Sequence, residues 1–217
     1  MTRLVVFDLD GTLVDSAGDI ASSVNAALQR LAPASPPVPV DRVLAFVGEG
    51  ARVLIERVLR HQRLELAPDA VLPVYLECYR ERLLDTTRLY PGIAEALAQL
   101  AAADRTLAVL TNKPGDLSRT ILGGLGVASR FARIWGAGDT PARKPDPAGL
   151  VALLGELQAT AAETWLVGDS PTDVKTARAA GVRAAGVLWG FDSAGLRAAA
   201  PDRLVANPEE LVRLIVG

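Results

Sequence analysis

A doubly wound α/β core, interrupted early by an all-helical segment, is the architecture this sequence predicts, and three observations predict it. Short apolar runs alternate with helical stretches over most of the chain, the pattern that gives a parallel sheet covered by helices on both faces. Three of those runs end in polar residues, Asp8/Asp10, Thr111/Asn112 and Asp169, as strands do where ligands sit beyond the carboxyl edge of an open sheet. The stretch from Asp15 to Thr86 breaks the alternation and reads as helix without a convincing strand.

The first strand is Leu4–Phe7, apolar and β-branched, and it spills its polar residues at its C-terminal end. Helical spacing then puts Ile20, Val24, Ala27, Leu28 and Leu31 on one face of Ala17–Leu31. A proline-rich loop from Pro33 to Pro39 follows, and further helices are predicted over Asp41–Val47, Ala51–Gln62 and Asp69–Leu84. Tyr90-Pro91-Gly92 turns the chain back into the alternating pattern. From there strands at Thr106–Thr111, Thr164–Gly168, Arg183–Leu188 and Arg203–Val205 alternate with helices. The helices are Gly92–Ala103, Asp116–Gly124, Ala148–Leu157, Thr172–Ala180, Ala194–Ala199 and Glu209–Val216. The division expected is a core of residues 1–14 and 87–217 with a helical domain of residues 15–86 inserted after the first strand.

Composition narrows the function. Of 217 residues, 50% are apolar and 22% charged, with a net charge of −2, so the chain buries a real core and is not disordered. With 23 basic against 25 acidic residues there is no positive field to attract nucleic acid. The single cysteine, Cys78, and single histidine, His61, leave a disulfide, a Cys/His zinc site, a Ser-His-Asp triad or a Cys-His dyad short of parts unless those two meet. No run approaches the ~20 apolar residues that cross a bilayer. The chain therefore reads as soluble and cytoplasmic, with no membrane or nucleic-acid partner, and a small metabolite is the expected ligand. Of the 23 basic residues only Lys113, Lys144 and Lys175 are lysine, which singles out positions where a compact point charge replaces the usual guanidinium. His61, Cys78, Trp135, Trp165 and Trp189 are read as packing or surface residues, Lys113 as a neighbour of a helix start and Lys175 as exposed.

Four short strings carry chemistry. Asp8 and Asp10 share one face of the strand end, where two carboxylates crowd unless a cation or unequal protonation separates them. Gly11-Thr12 then supplies a tight turn whose amides can face an anion, with Asp10 as a cap of the next segment the plainer alternative. Thr111-Asn112-Lys113 offers a hydroxyl, an amide and an ammonium at a helix start, donors that suit phosphate oxygens or, in the plainer reading, a helix cap. Pro145 biases Lys144 toward an extended backbone and so fixes where its ammonium enters, with a surface lysine as the alternative. Asp169 and Asp173, one helical turn apart after Gly168, make an oxygen-rich pair for a hard divalent cation, or merely favour a helix N-terminus.

In this order the strings resemble the haloacid dehalogenase superfamily across nearly the whole chain. Asp8-Leu9-Asp10-Gly11-Thr12 is similar to its first motif, Thr111-Asn112 to its second, Lys144 to its third, and Gly168-Asp169-Ser170 with Asp173 to its fourth. The resemblance implies a Rossmann-like core with a mobile helical cap at residues 15–86. Within the superfamily the strings Phe7–Ser16, Val47–Arg52, Thr111–Pro114, Lys144–Pro147 and Gly168–Ser170 are most similar to those of bacterial phosphoglycolate phosphatases. Other sugar-phosphate phosphatases and pyrophosphatases share most of them. A phosphosugar mutase, a phospho-accepting receiver module and a catalytically dead protein of this fold also stay open.

The resemblance implies that Asp8 is the nucleophile that becomes an aspartyl phosphate and that Asp10 is the general acid and base. It implies a Mg²⁺ ion held by the Asp8 and Asp169 carboxylates and the Asp10 carbonyl, with Asp173 and Ser170 orienting what surrounds it. Thr111, Asn112 and Lys144 are implied to bind the phosphoryl oxygens. The cap turn Gly48-Glu49-Gly50 and Arg52 are its candidates for substrate specificity, with Arg52 reaching a carboxylate. The partner expected is a small phosphorylated metabolite, and the assembly a monomer or homodimer.

Overall fold

The computed structural model describes residues 2–217. The chain begins with β1 (Leu4–Phe7) and β2 (Val14–Asp15), then four helices: α1 (Ala17–Leu31), α2 (Val40–Leu44), α3 (Ala51–Gln62) and α4 (Pro68–Arg80). It returns through β3 (Arg88–Leu89), α5 (Ile93–Ala102), β4 (Thr106–Pro114), α6 (Gly115–Gly124) and β5 (Arg133–Ala137). It ends with α7 (Ala148–Glu156), β6 (Thr164–Gly168), α8 (Pro171–Ala179), β7 (Arg183–Val187), α9 (Ser193–Ala199), β8 (Arg203–Val205) and α10 (Pro208–Val216).

Six strands form one parallel sheet in the order β5-β4-β1-β6-β7-β8. Counted along the chain this is the doubly wound order 3-2-1-4-5-6, whose winding reverses between β1 and β6. β1 sits at the centre with all four side chains buried. Its alternation feeds two cores: Val5 and Phe7 join one apolar cluster, Leu4 and Val6 the other. The first cluster takes in α5, α6 and α10 and runs on into Ile20, Val24, Ile55, Val58 and Tyr75 of the helical insertion. The second is built with Leu150 and Leu153 of α7, Val174 of α8 and Leu196 of α9. The fold class predicted from the sequence is the one observed.

Where the elements differ from expectation, the reasons are local. β5 was not predicted: Arg-Ile-Trp-Gly-Ala lies at the sheet edge, only Gly136 of it is buried, and an edge strand carries no continuous apolar run. α4 stops at Arg80 rather than at Leu84, because residues 81–84 form turns. α2 closes at Leu44 instead of Val47.

The two crossings between core and insertion lie side by side, since β2 and β3 pair antiparallel, Val14 with Leu89 and Asp15 with Arg88. Beside them Asp19 of α1 is buried and receives four hydrogen bonds. The Thr86 amide and hydroxyl donate to Oδ1 at 2.9 and 2.6 Å, and the Thr87 amide and hydroxyl to Oδ2 at 2.8 and 2.6 Å. Burial alone raises this carboxyl, but the Thr86 and Thr87 donors outweigh it and hold the group below the usual carboxylate range. Among the described residues no helix is long and apolar enough to cross a membrane.

Candidate active site

The reversal between β1 and β6 opens a crevice at the carboxyl edge of the sheet, and the end of each flanking strand delivers an acid into it. Asp8 follows β1, with its amide paired to the Val167 carbonyl at 2.9 Å, and Asp169 follows β6. Gly11 makes the turn possible. Its φ of 77° suits glycine, and a Cβ there would lie 2.1 Å from Asp169 Oδ2, inside the carboxylate itself. The Phe191 amide donates to the same oxygen at 2.7 Å, and the Trp189 indole N–H holds the Thr12 carbonyl at 3.0 Å.

Lys144 is the cation of this cluster. Its Nζ donates to Asp173 Oδ1 at 2.6 Å and lies 3.0 Å from Asp8 Oδ1. That second contact is an ion pair rather than an aligned hydrogen bond, for Asp8 Oδ1 is buried with no hydrogen-bond partner. Burial pushes the Asp8 carboxyl up to about 6 against the pull of the Lys144 ammonium, with the Asp173 charge adding to the rise. Asp169 is pushed well above the usual carboxylate range, by burial first and then by Asp173 and Asp8. Burial works against the charge on Lys144, but Asp173 and Asp8 more than restore it and raise its pKa. Asp8, Asp169 and Asp173 bring one oxygen each within 4.8 Å of one another. Three carboxylates against one ammonium leave an excess of negative charge among hard oxygen donors, so the residues present fit a divalent cation.

Asp173 does more than add charge. Its Oδ2 accepts from the Ser170 amide and hydroxyl at 3.2 and 2.7 Å, capping α8, while Oδ1 holds Lys144. Asn112 is similarly committed. Its Nδ2 donates to the Lys144 carbonyl at 2.8 Å and the Gly48 carbonyl at 3.0 Å, and its Oδ1 accepts from the Lys144 amide at 2.9 Å. Both side-chain amide protons are spent on placing the Lys144 loop and docking the insertion. Thr111 lines the cleft.

The cleft measures about 410 Å³ and lies between the sheet edge and the helical insertion. The insertion's wall is largely apolar, with Leu44, Val47, Leu54, Tyr75 and Leu76 facing in. Gly48 and Gly50 line it as expected, and Gly50, with φ 93°, approaches so closely that a Cβ would meet the Asn112 carbonyl at 3.3 Å. Arg52 and Glu49 do not line it. Arg52 pairs with Asp69 at 2.8 Å, where the first turn of α4 offers a nearer acid, and Glu49 pairs with Arg57.

Lys113, expected only as an ammonium beside a helix start, is bound into the site. Its Nζ donates to Asp10 Oδ1 and Oδ2 at 2.9 and 3.0 Å and to the Tyr79 hydroxyl at 2.5 Å. Ser16 Oγ adds a bond to Asp10 Oδ1 at 2.6 Å. The two acids of the first motif thus part company, Asp8 toward Asp169 and Lys144, Asp10 toward Lys113 and the insertion. The scarcity of lysine was the available signal, and Lys113 and Lys144 are the two of the three that are buried at the site.

An acid pair at a doubly wound switch point, a buried lysine and a helical insertion over the crevice define a class of enzyme, and comparison with known proteins agrees. The chain belongs to the haloacid dehalogenase-like hydrolase family, which it matches over residues 5–187. Its relatives place it among the phosphatases. It is 35% identical to a phosphoglycolate phosphatase of Pectobacterium atrosepticum, covering 98% of this chain and 92% of that one. It is 39% identical to that of Colwellia psychrerythraea, covering 88% and 86%. A crystal structure of a predicted phosphoglycolate phosphatase from Haemophilus somnus superimposes with a TM-score of 0.92 at 31% identity, covering 98% of this chain and 97% of that one.

Proposed function

We propose that the protein hydrolyses 2-phosphoglycolate to glycolate and inorganic phosphate through an aspartyl phosphate on Asp8. The observation that carries this is the separation of Asp8 from Asp10: one acid lies against Lys144, the other is held by Ser16 and Lys113 on the cleft side. In the first step an Asp8 oxygen bonds to phosphorus, the ester P–O bond breaks, and the leaving alkoxide takes a proton from Asp10. In the second, water attacks phosphorus and gives its proton to Asp10, the Asp8–phosphorus bond breaks, and phosphate leaves. Lys144 supplies positive charge to the transferring oxygens, positioned by Asp173 and Asn112, and Thr111 adds a hydroxyl.

Mg²⁺ is the proposed cation: the Asp8 and Asp169 carboxylates with the Asp10 carbonyl would hold it, and its charge would offset that of the phosphoryl group. Asp173, with both oxygens engaged, serves as the group that orients Lys144. The family similarity of the full-length phosphoglycolate phosphatases supports the substrate. The apolar wall and the cleft volume favour a second reading, in which a phosphate monoester with a larger leaving group is preferred.

Phosphate release from 2-phosphoglycolate, hexose and pentose phosphates, nucleotides and pyrophosphate, with Mg²⁺ and with chelator, separates the two. A lead of ~100-fold in kcat/KM for 2-phosphoglycolate, about 2.7 kcal/mol of transition-state discrimination, supports the first reading. A flat panel or a leading sugar phosphate supports the second, and no Mg²⁺-dependent release from any ester refutes both.

A further inference from the structure

Lys113 joins three parts of the molecule that the chemistry keeps apart. It stands at the end of β4, its side chain is 4% exposed, and its three ammonium protons are all placed. Two go to the carboxylate of Asp10 on the core and the third to the Tyr79 hydroxyl on α4 of the insertion. The ammonium also lies 4.3 Å from the centroid of the Tyr79 ring, so the tyrosine holds it by face and by hydroxyl together. Tyr79 is itself buried and stacked on Tyr75, with ring centroids 5.8 Å apart, which fixes where its hydroxyl can stand. Asp10 receives its remaining bond from Ser16, at the outgoing crossing from core to insertion.

A half-buried carboxylate held at both oxygens by one ammonium is constrained in orientation, and the Tyr79 hydroxyl and ring help to hold that ammonium in place. A charge so enclosed cannot give up a partner without water replacing it. Moving the insertion away from the sheet edge would take Tyr79 with it and leave Lys113 held by Asp10 alone, so the ammonium that aims Asp10 would lose the contact that fixes its own position.

We infer that Lys113 is a positioning residue that aligns Asp10 for proton transfer when Tyr79 of the insertion is seated against it. The inference rests on the reading of Asp10 as acid and base given above. Displacement of a proton-transfer group by ~1 Å costs about 100-fold, so alignment through Lys113 is worth a measurable share of the 10²–10⁴-fold such catalysis supplies.

The test compares two substrates on the same protein. An alkyl phosphate, 2-phosphoglycolate in the first instance, leaves as an alkoxide that needs a proton, whereas p-nitrophenyl phosphate leaves as a stable anion that does not. In Lys113→Met, kcat/KM for the alkyl ester should fall about 100-fold or more and for the aryl ester less than about 10-fold. Because both values come from one preparation, the ratio is independent of the fraction of protein that folds. Tyr79→Phe keeps the ring and loses only the hydroxyl, so its ratio should shift the same way by about 3- to 10-fold. The double variant should then be no worse than Lys113→Met alone.

An equal fall for both esters in Lys113→Met, or additive losses in the double variant, overturns the inference. Asp10→Asn is the reference. If it shows no preference for the aryl ester, the reading of Asp10 fails and the role of Lys113 falls with it. If it does and Lys113→Met does not, the alignment by Lys113 alone is overturned.

Discussion

At the scale of single residues, two carboxylates two positions apart have been given different surroundings. Asp8 faces other acids and one ammonium in a buried cluster, which pushes its carboxyl up to about 6, while Asp10 faces Ser16 and Lys113. Asp8→Asn preserves shape and removes the nucleophile. Phosphate release should therefore drop by about 10⁴-fold or more on any ester the enzyme turns over, with an unchanged circular dichroism spectrum. Residual activity within tenfold of the parent would remove Asp8 from the mechanism. Asp8, Asp10, Asp169 and Lys144 were legible in the sequence because acids and a rare lysine at strand ends and in a proline loop are locally odd. Lys113, Ser16 and Tyr79 were not. Their partnership spans 103 residues from Lys113 to Asp10 and 34 from Lys113 to Tyr79, and no local pattern encodes it. Arg52 was misleading for the converse reason: its i+4 neighbour Glu56 and the distant Asp69 satisfy it away from the cleft.

At the scale of elements, the strands and helices of the core were readable wherever a side chain alternation or a helical stripe faced a core. β5 escaped for want of one. The connection between core and insertion was also hidden, because β2 and β3 are two residues each and are held by pairing with each other rather than by composition. Asp19 supplies what that short ladder lacks, fastening α1 to Thr86 and Thr87 with four bonds. In Asp19→Asn two of those donors lose an acceptor, since Nδ2 now meets N–H and O–H groups. We expect a loss of about 2–4 kcal/mol in urea unfolding. The pH dependence has a definite sign. The folded pKa of Asp19 is depressed, so its contribution is present above its unfolded value near 3.8 and fades as pH falls through the lower folded value. The parent should accordingly show a steeper acid limb below about pH 4 than Asp19→Asn. Parallel limbs would mean the four bonds do not favour the ionised form.

At the scale of the whole molecule, a doubly wound parallel sheet was expected from the alternation of strand and helix, and its strand order is what brings Asp8 and Asp169 together from positions far apart in the chain. What sequence alone did not give is how that convergence is paid for electrostatically. Asp8, Asp169 and Asp173 share one ammonium, and burial raises the carboxyls of Asp8 and Asp169, so ionising them in the metal-free protein costs stability. A divalent cation at this cluster would reverse that cost and would bind only the folded chain, which alone brings these acids together. Mg²⁺ at 100 times its dissociation constant should therefore stabilise by about 2.7 kcal/mol, a rise in Tm of roughly 5–10 °C for a chain of this size. The effect should be largest at about pH 8 and shrink toward about pH 5, where protons compete for a carboxyl titrating near 6. Asp169→Asn should lose the Mg²⁺-dependent rise while its metal-free protein is at least as stable as the parent, since one buried negative charge is gone. Calorimetry with Mg²⁺ and with chelator checks both halves. An identical Tm in the two conditions, with phosphate release also indifferent to chelator, would show that the acids balance their charge without a cation, and the metal would drop out of the mechanism.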